Sequence, residues 1–347
     1  FVGMLKSNAA TGAVGVVFSM MAIIQAVGFF FGQGSGNYIS RMLGKKQYKE
    51  ASAMAATGFY CALGAGLLIC VVGQIFLEDL AYLLGSTETI LPYARDYGFW
   101  VLTACPIMIG SLILNNNLRF EGKAFYAMFG LTTGGLLNIL GDYLLVIRAD
   151  LGVYGAGLST AVSQMVSFTI LLIMYFTKAQ SKIRLSFISR KWKDYTTIMR
   201  VGLPSLIRQG LTAISGSLLN NLTKPFGDAA IAAMSVVSRY SMFVMCVGLG
   251  IGQGFQPICG FNYGAKLYDR VRKAFWFCVK VSPVILLVLG CAFGIVLQKA
   301  ELYTRSIADN IRWGKDDATP WEIKSAAEIA QADDFICATP YGYETYV

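Results

Sequence analysis

Asn138 and Asp142 stand four residues apart in the apolar run LLNILGDYLLV, residues 136–146. On a helix that spacing puts both side chains on one face. An ionisable group inside such a run is costly to bury and marks a functional place by default. Asp142 offers a carboxyl that can take up a proton or hold a cation, with Asn138 as a neutral oxygen beside it. Simple hydrogen bonding of Asp142 to a neighbouring helix is the plainer alternative. Arg208 and Arg239 are the arginines set well inside apolar runs. Facing lipid would be expensive, so both are candidates to line a polar cavity or to pair with a carboxylate. Gln25, Gln164, Gln209 and Asn221 are further cavity candidates, with interhelical hydrogen bonding the competing reading for each. Snorkelling to an interface competes for Arg208 and Lys280. The chain has no histidine, which removes His-based triads, zinc sites and His proton relays. Its eight cysteines include no CxxC pair and read as small packing residues. No metal site is expected beyond a possible sodium ion at Asp142 and Asn138.

These groups must be carried by long apolar helices. The chain of 347 residues is 55% hydrophobic and 14% charged, where a soluble domain carries about 25% charged residues. Mean hydropathy is +0.55. Runs able to cross a bilayer, which takes about 20 residues, fall near 11–31, 51–77, 97–117, 124–147, 156–176, 201–222, 229–250 and 274–297. This predicts an all-α integral membrane protein with about eight transmembrane helices. One cleaved signal peptide cannot explain eight apolar segments. Pro106, Pro204 and Pro257 lie inside these runs as candidate kinks or caps.

The net charge of +9 does not point to nucleic acid, because its distribution follows the helices. The connections 32–50, 118–123, 177–200 and 264–273 carry 4, 2, 7 and 4 Lys and Arg. The opposite connections hold only Lys6, Arg95, Arg148 and Lys224. The positive-inside rule places the first group in the cytoplasm. The segment 177–200 reads as an amphipathic cytoplasmic linker at the membrane surface.

One phrase occurs twice. FGQGSGNYISRMLGKKQYKEA (31–51) and IGQGFQPICGFNYGAKLYDRV (251–271) align without a gap at an offset of 220. Gly32, Gln33, Gly34, Gly44, Lys46 and Tyr48 match Gly252, Gln253, Gly254, Gly264, Lys266 and Tyr268. The offset is too long for a solenoid repeat and suits half of a two-lobed transporter. Glycine-rich helix ends followed by Lys and Arg read as cytoplasmic turns.

Together with LRFEGKAFYAM (118–128), LLNILGDYLLV, VGLPSLIRQG (201–210) and FGDAAIAAMSVVSRY (226–240), the repeated phrases resemble the multidrug and toxic compound extrusion family over roughly residues 1–292. The resemblance implies a fold of twelve helices in two lobes of six. It also implies export of small organic cations or drugs in exchange for H+ or Na+, from a multi-pass protein of the plasma membrane. Asn138 and Asp142 match an Asn and Asp pair of the family's first-lobe cation site. Counted against that plan, residues 1–176 are the first lobe without its first helix and 177–200 the linker. Residues 201–297 are a partial second lobe, and 298–347 a soluble tail. The expected chain is thus truncated at both ends.

The tail is similar to part of an ATP-binding-cassette nucleotide-binding domain, starting at Gln298, with a join expected near 293–297. Its segment WEIKSAAEIAQADDFI predicts an amphipathic helix with Ile323, Ala326, Ala327, Ala330 and Phe335 on one side. The sequence has no GxxxxGK followed by Ser or Thr and no LSGGQ, so no ATP binding, enzyme activity or cofactor is expected. The competing readings are a fragment of an ATP-driven exporter and a lipid-linked sugar flippase, for which Arg208 and Arg239 would supply a cationic cavity.

Overall fold

The computed structural model describes residue 2 and residues 8–223, 228–296, 305–312, 315, 317–329 and 332–346. Residues 1–284 and 285–347 form two compact units. The larger unit is built from α1 (Asn8–Gly44), α2 (Tyr48–Ile75), a short α3 (Leu77–Leu83), α4 (Leu91–Phe120) and α5 (Ala124–Asp142). A π-helical turn, Tyr143–Arg148, prolongs α5, and α6 (Gly152–Lys178), α7 (Trp192–Thr223), α8 (Asp228–Gly264) and α9 (Tyr268–Val296) follow. No β-strand occurs among the described residues, apart from an isolated bridge between Ser306 and Tyr346.

Seven of these helices are long and apolar enough to cross a membrane, counted among the described residues. The eighth expected span, 201–222, lies within α7, most of whose side chains after residue 212 lie outside the described residues, and the described part is not among the seven. The helix starts nine residues earlier than expected, and its described part carries Lys193, Asp194, Arg200 and Arg208, which dilute the apolar stretch. Pro106, Pro204 and Pro257 all sit inside helices, as does Pro283 in α9.

The connection expected over 32–50 is not a loop. At 37 residues, α1 is about 55 Å long at 1.5 Å per residue, well beyond a hydrocarbon core of about 30 Å. Glycine here serves packing. Gly28, Gly32 and Gly36 lie one turn apart on α1, and a Cβ on each would run into Leu112, Asn116 and Phe120 of α4. Bare backbone lets the two helices approach closely, as small residues do between membrane helices. Ile24, Ile39, Met54, Phe59, Ile109, Ile113, Leu118 and Leu171 fill the core among α1, α2, α4 and α6.

The repeat is visible in the helix bounds. Shifting α1 by 220 gives α8 at both ends, and shifting α2 gives α9 to within one residue. The turns agree bond for bond. Lys46 and Lys266 both take the left-handed conformation, at φ 62° and 59°. Lys45 N–H donates to the Arg41 carbonyl, Lys46 to Leu43 and Gln47 to Met42; Ala265 donates to Phe261, Lys266 to Tyr263 and Leu267 to Asn262. The two copies also meet. A Cβ on Gly44 would overlap the Phe261 carbonyl, and one on Gly264 would overlap the Arg41 carbonyl. Since Phe261 is the counterpart of Arg41, this is a local two-fold contact, and Ser40 closes it by donating to the Pro257 carbonyl at 3.0 Å.

The basic linker is shorter than expected, and part of it packs on the helices. Residues 192–200 are already helical, and the segment from Ala179 to Lys191 docks on the end of the bundle. Ile183 is buried. Lys182 N–H donates to Ser52 Oγ at 3.0 Å and Ser189 N–H to Thr57 Oγ1 at 2.8 Å. Glu121, in the tight turn between α4 and α5, accepts from the Gln180 amide at 2.5 Å, from the Ser181 amide at 3.2 Å and from the Ser181 hydroxyl.

The smaller unit has its own core of Ala308, Ile323, Ala327 and Ile336. The single amphipathic helix expected there is two: α10 (Ile307–Arg312) precedes α11 (Pro320–Ile329) and α12 (Asp333–Cys337). The interruption shifts the register, so Phe335 is 72% exposed and Ile336 is buried in its stead. Ala330 and Gln298 lie outside the described residues.

Burial pushes the Glu121 carboxyl above its ordinary value, and the Ser181 hydroxyl, the linker amides and Lys123 only partly offset this. A carboxyl whose folded pKa is raised binds its proton more tightly folded than unfolded, so it lowers stability as pH rises through that window. The wild-type chain should therefore lose thermal stability relative to Glu121→Gln as pH rises from about 4.5 towards neutrality. Melting curves in one detergent across that range check this, and parallel curves for the two proteins would contradict it.

Candidate functional site

Asn138 and Asp142 lie on the same face of α5, as their spacing requires. Asn138 Nδ2 is 3.5 Å from Asp142 Oδ1, 3.3 Å from Ser159 Oγ and 3.3 Å from Thr160 Oγ1. Ser159 Oγ donates in turn to the Asn138 carbonyl at 3.1 Å, and Tyr97 Oη of α4 lies 3.5 Å from Thr160 Oγ1. Three helices thus contribute to one polar network. Gly141 makes this approach possible, because a Cβ there would strike Ser159. Ser159 and Thr160 are buried, while Asn138 and Asp142 are half-buried.

Asp142 is the last residue of α5 before the π turn Tyr143–Arg148. Such single turns are frequent at functional sites, where they widen the helix and re-aim its side chains. As placed, the Asn138 amide donates to the Asp142 carboxyl.

The other sequence candidates do not join this network. Gln25 is exposed, and Gln164, Arg208 and Gln209 are half-buried. None of the four makes a side-chain hydrogen bond among the described residues. The side chains of Asn221 and Arg239 lie outside the described residues. Lys280 lines a surface cavity of about 680 Å³ on α9 with Asp269, Arg272, Lys273, Trp276 and Phe277. No group of three or more His, Cys, Asp or Glu is arranged to hold a metal ion among the described residues.

Sequence reasoning missed Ser159, Thr160 and Tyr97. Small hydroxyls and a tyrosine in apolar helices carry little signal alone, and their partners are 21 to 63 residues away. It also missed a second network on α4, where Asn116 and Arg119 meet Gln33 and Gln253. The signal for that one was present, since Gln33 and Gln253 are matched positions of the repeated phrase.

The MatE family model matches residues 1–144 and 203–306. The chain is 27% identical over 293 residues to the multidrug export protein MepA of Staphylococcus saprophyticus, covering 84% of this chain and 64% of that protein. It is 28% identical over 309 residues to MepA of Staphylococcus aureus, covering 88% and 68%. The chain therefore spans about two thirds of the length of these relatives. Among solved structures, an outward-facing multidrug resistance MATE family transporter superposes with a TM-score of 0.79 at 22% identity, over 94% of this chain and 71% of the other. A MATE structure in complex with MaD3S gives 0.78 at 24%, over 83% and 65%. Both likenesses establish the fold. The family match runs to residue 306, past the join expected near 293–297, and nothing in these comparisons supports the resemblance of the tail to an ATP-binding-cassette domain. Its sequence motifs, its paired long helices and a family match over more than half its length agree that this multi-pass membrane protein belongs to the MatE family.

Proposed function

We propose that the protein containing this chain exports small organic cations or drugs across the plasma membrane by cation antiport, with Asp142 and Asn138 as the coupling site. The observation that carries the reading is the network of Asn138, Asp142, Ser159 and Thr160 beside a π turn. A coupling group must be able to gain and lose its ion without unfolding its surroundings. A half-buried carboxyl fixed by one amide meets that requirement. The net-positive ends of the helices would face the cytoplasm. The cycle is driven by the ion gradient, with proton or cation uptake and release at Asp142 as its only chemistry.

The ion is H+ or Na+, and the Asp142 carboxyl could carry either. Substrate and ion release on opposite sides follow from the family fold rather than from any residue named above.

Asp142→Asn keeps the size and the hydrogen bond of the side chain but cannot be deprotonated. In membrane vesicles holding the whole gene product, it should retain folding and drug binding and lose efflux driven by an imposed proton or sodium gradient, at least about tenfold. Efflux at the parent rate would remove Asp142 from the mechanism. Imposing a proton gradient and a sodium gradient in turn on the parent protein identifies the ion.

Asn138→Leu tests whether the network serves structure. Ser159 and Thr160 keep backbone acceptors when it is lost, at the Asn138 and Ala156 carbonyls. An interhelical hydrogen bond in a membrane protein contributes about 0.6 kcal/mol on average. The variant should melt within a few degrees of the parent while its gradient-driven efflux falls. A large loss of stability with unchanged efflux would assign Asn138 to packing alone.

A further inference from the structure

The matched glutamines of the repeated phrase converge on one arginine. Gln33 Nε2 of α1 donates to Asn116 Oδ1 at 3.4 Å, and Arg119 Nη2 donates to the same oxygen at 2.6 Å. Arg119 Nη1 donates to Gln253 Oε1 of α8. Arg119 is 9% exposed and Asn116 1%. The guanidinium also lies over the Phe120 ring, 5.4 Å from its centre. It takes part in none of the ion pairs among the described residues, and its Nε is buried without a partner, as is Nδ2 of the adjacent Asn117.

A buried guanidinium held only by neutral amides is an unusual way to join two helices. Removing the charge from water costs several kcal/mol, and no carboxylate is at hand to offset it. Water would solvate the group better than Gln253 does. The contact thus holds while this end of the bundle is dry and loses its advantage once water enters. The same end carries the two-fold contact of Gly44 with Gly264 and the Ser40 to Pro257 hydrogen bond, so α8 parts from α1 and α4 together or not at all.

We propose that Arg119 is a positioning residue that latches the second half of the molecule to the first. Bound to Gln253 it keeps the end that carries Lys46 and Lys266 closed, and released into water it keeps that end open. The inference rests on the transport reading for its purpose, but its geometry and its test do not.

Two substitutions at one position separate a latch from a packing role. Gln253→Glu gives the guanidinium a carboxylate partner and should tighten the closed state, whereas Gln253→Ala removes the acceptor and should loosen it. Ser40→Cys reports the state, because Ser40 is fully buried in the seam. The reagent is a maleimide, applied to the purified chain in nanodiscs without drug or ion gradient. Modification is read at residue 40 by peptide mass spectrometry. Relative to Ser40→Cys alone, labelling should slow about tenfold with Gln253→Glu and quicken about tenfold with Gln253→Ala, the scale of one hydrogen bond to a charged group. Shifts in the same direction, or no shift in either, would overturn the latch. Should Gln253→Ala fail to fold, Gln253→Glu decides: slower labelling supports the proposal, and unchanged or faster labelling overturns it. A whole gene product that shows the two expected shifts yet exports nothing would sink the transport reading and leave the latch standing.

Discussion

The backbones of α1 and α8 touch at Gly44 and Gly264, and the arrangement of the larger unit follows from that contact. Neither position has room for a Cβ, because each faces the carbonyl of the other helix. Apolar side chains gain little by leaving lipid for a helix surface, so membrane helices associate through close packing and hydrogen bonds. Glycine at these two positions gives both. It brings the helices near enough for Ser40 to reach the Pro257 carbonyl, and it places Gln253 beside Arg119. The phrase is written twice because each copy is the other's partner.

From this seam, α4 extends to the proposed coupling site. Its Arg119 stands in the seam and its Tyr97 stands beside Thr160. The 22 residues between them make about 33 Å of helix, close to the thickness of a bilayer core. One helix therefore reaches from the contact between the halves to the network around Asp142. The glycines of α1 hold it along the way, with Asn116 against Gly32 and Phe120 against Gly36. In the second copy, Gly252 and Gly254 meet nothing within 4 Å, and among the described residues no helix occupies the place that α4 takes against the first.

Much of this was legible in the sequence because it is written in local patterns. The apolar runs gave the helices, the offset of 220 gave the paired halves, and the i, i+4 spacing placed Asn138 and Asp142 together. The helix ends were not legible. Gly, Asn and Lys between 32 and 50 look like a loop by propensity, yet α1 continues to Gly44 because packing on α4 and α8 overrides that preference. Residues such as Ser159, Thr160 and Arg119 acquire their meaning only from partners on other helices. Phe335 shows the converse: periodicity across an undetected break assigned it to the buried side, and the break turned it outward.

The central claim is that the two copies of the phrase form one symmetric contact, and equivalent substitutions should therefore cost the same. Thermal unfolding of Gly44→Val, Gly264→Val and Gly254→Val in one detergent measures this. Overpacking of a tight contact costs about 1–3 kcal/mol. The account predicts that Gly44→Val and Gly264→Val both melt well below the parent, by similar amounts, while Gly254→Val, placed in open space, melts at or above it. Equal melting temperatures for all three variants would contradict it.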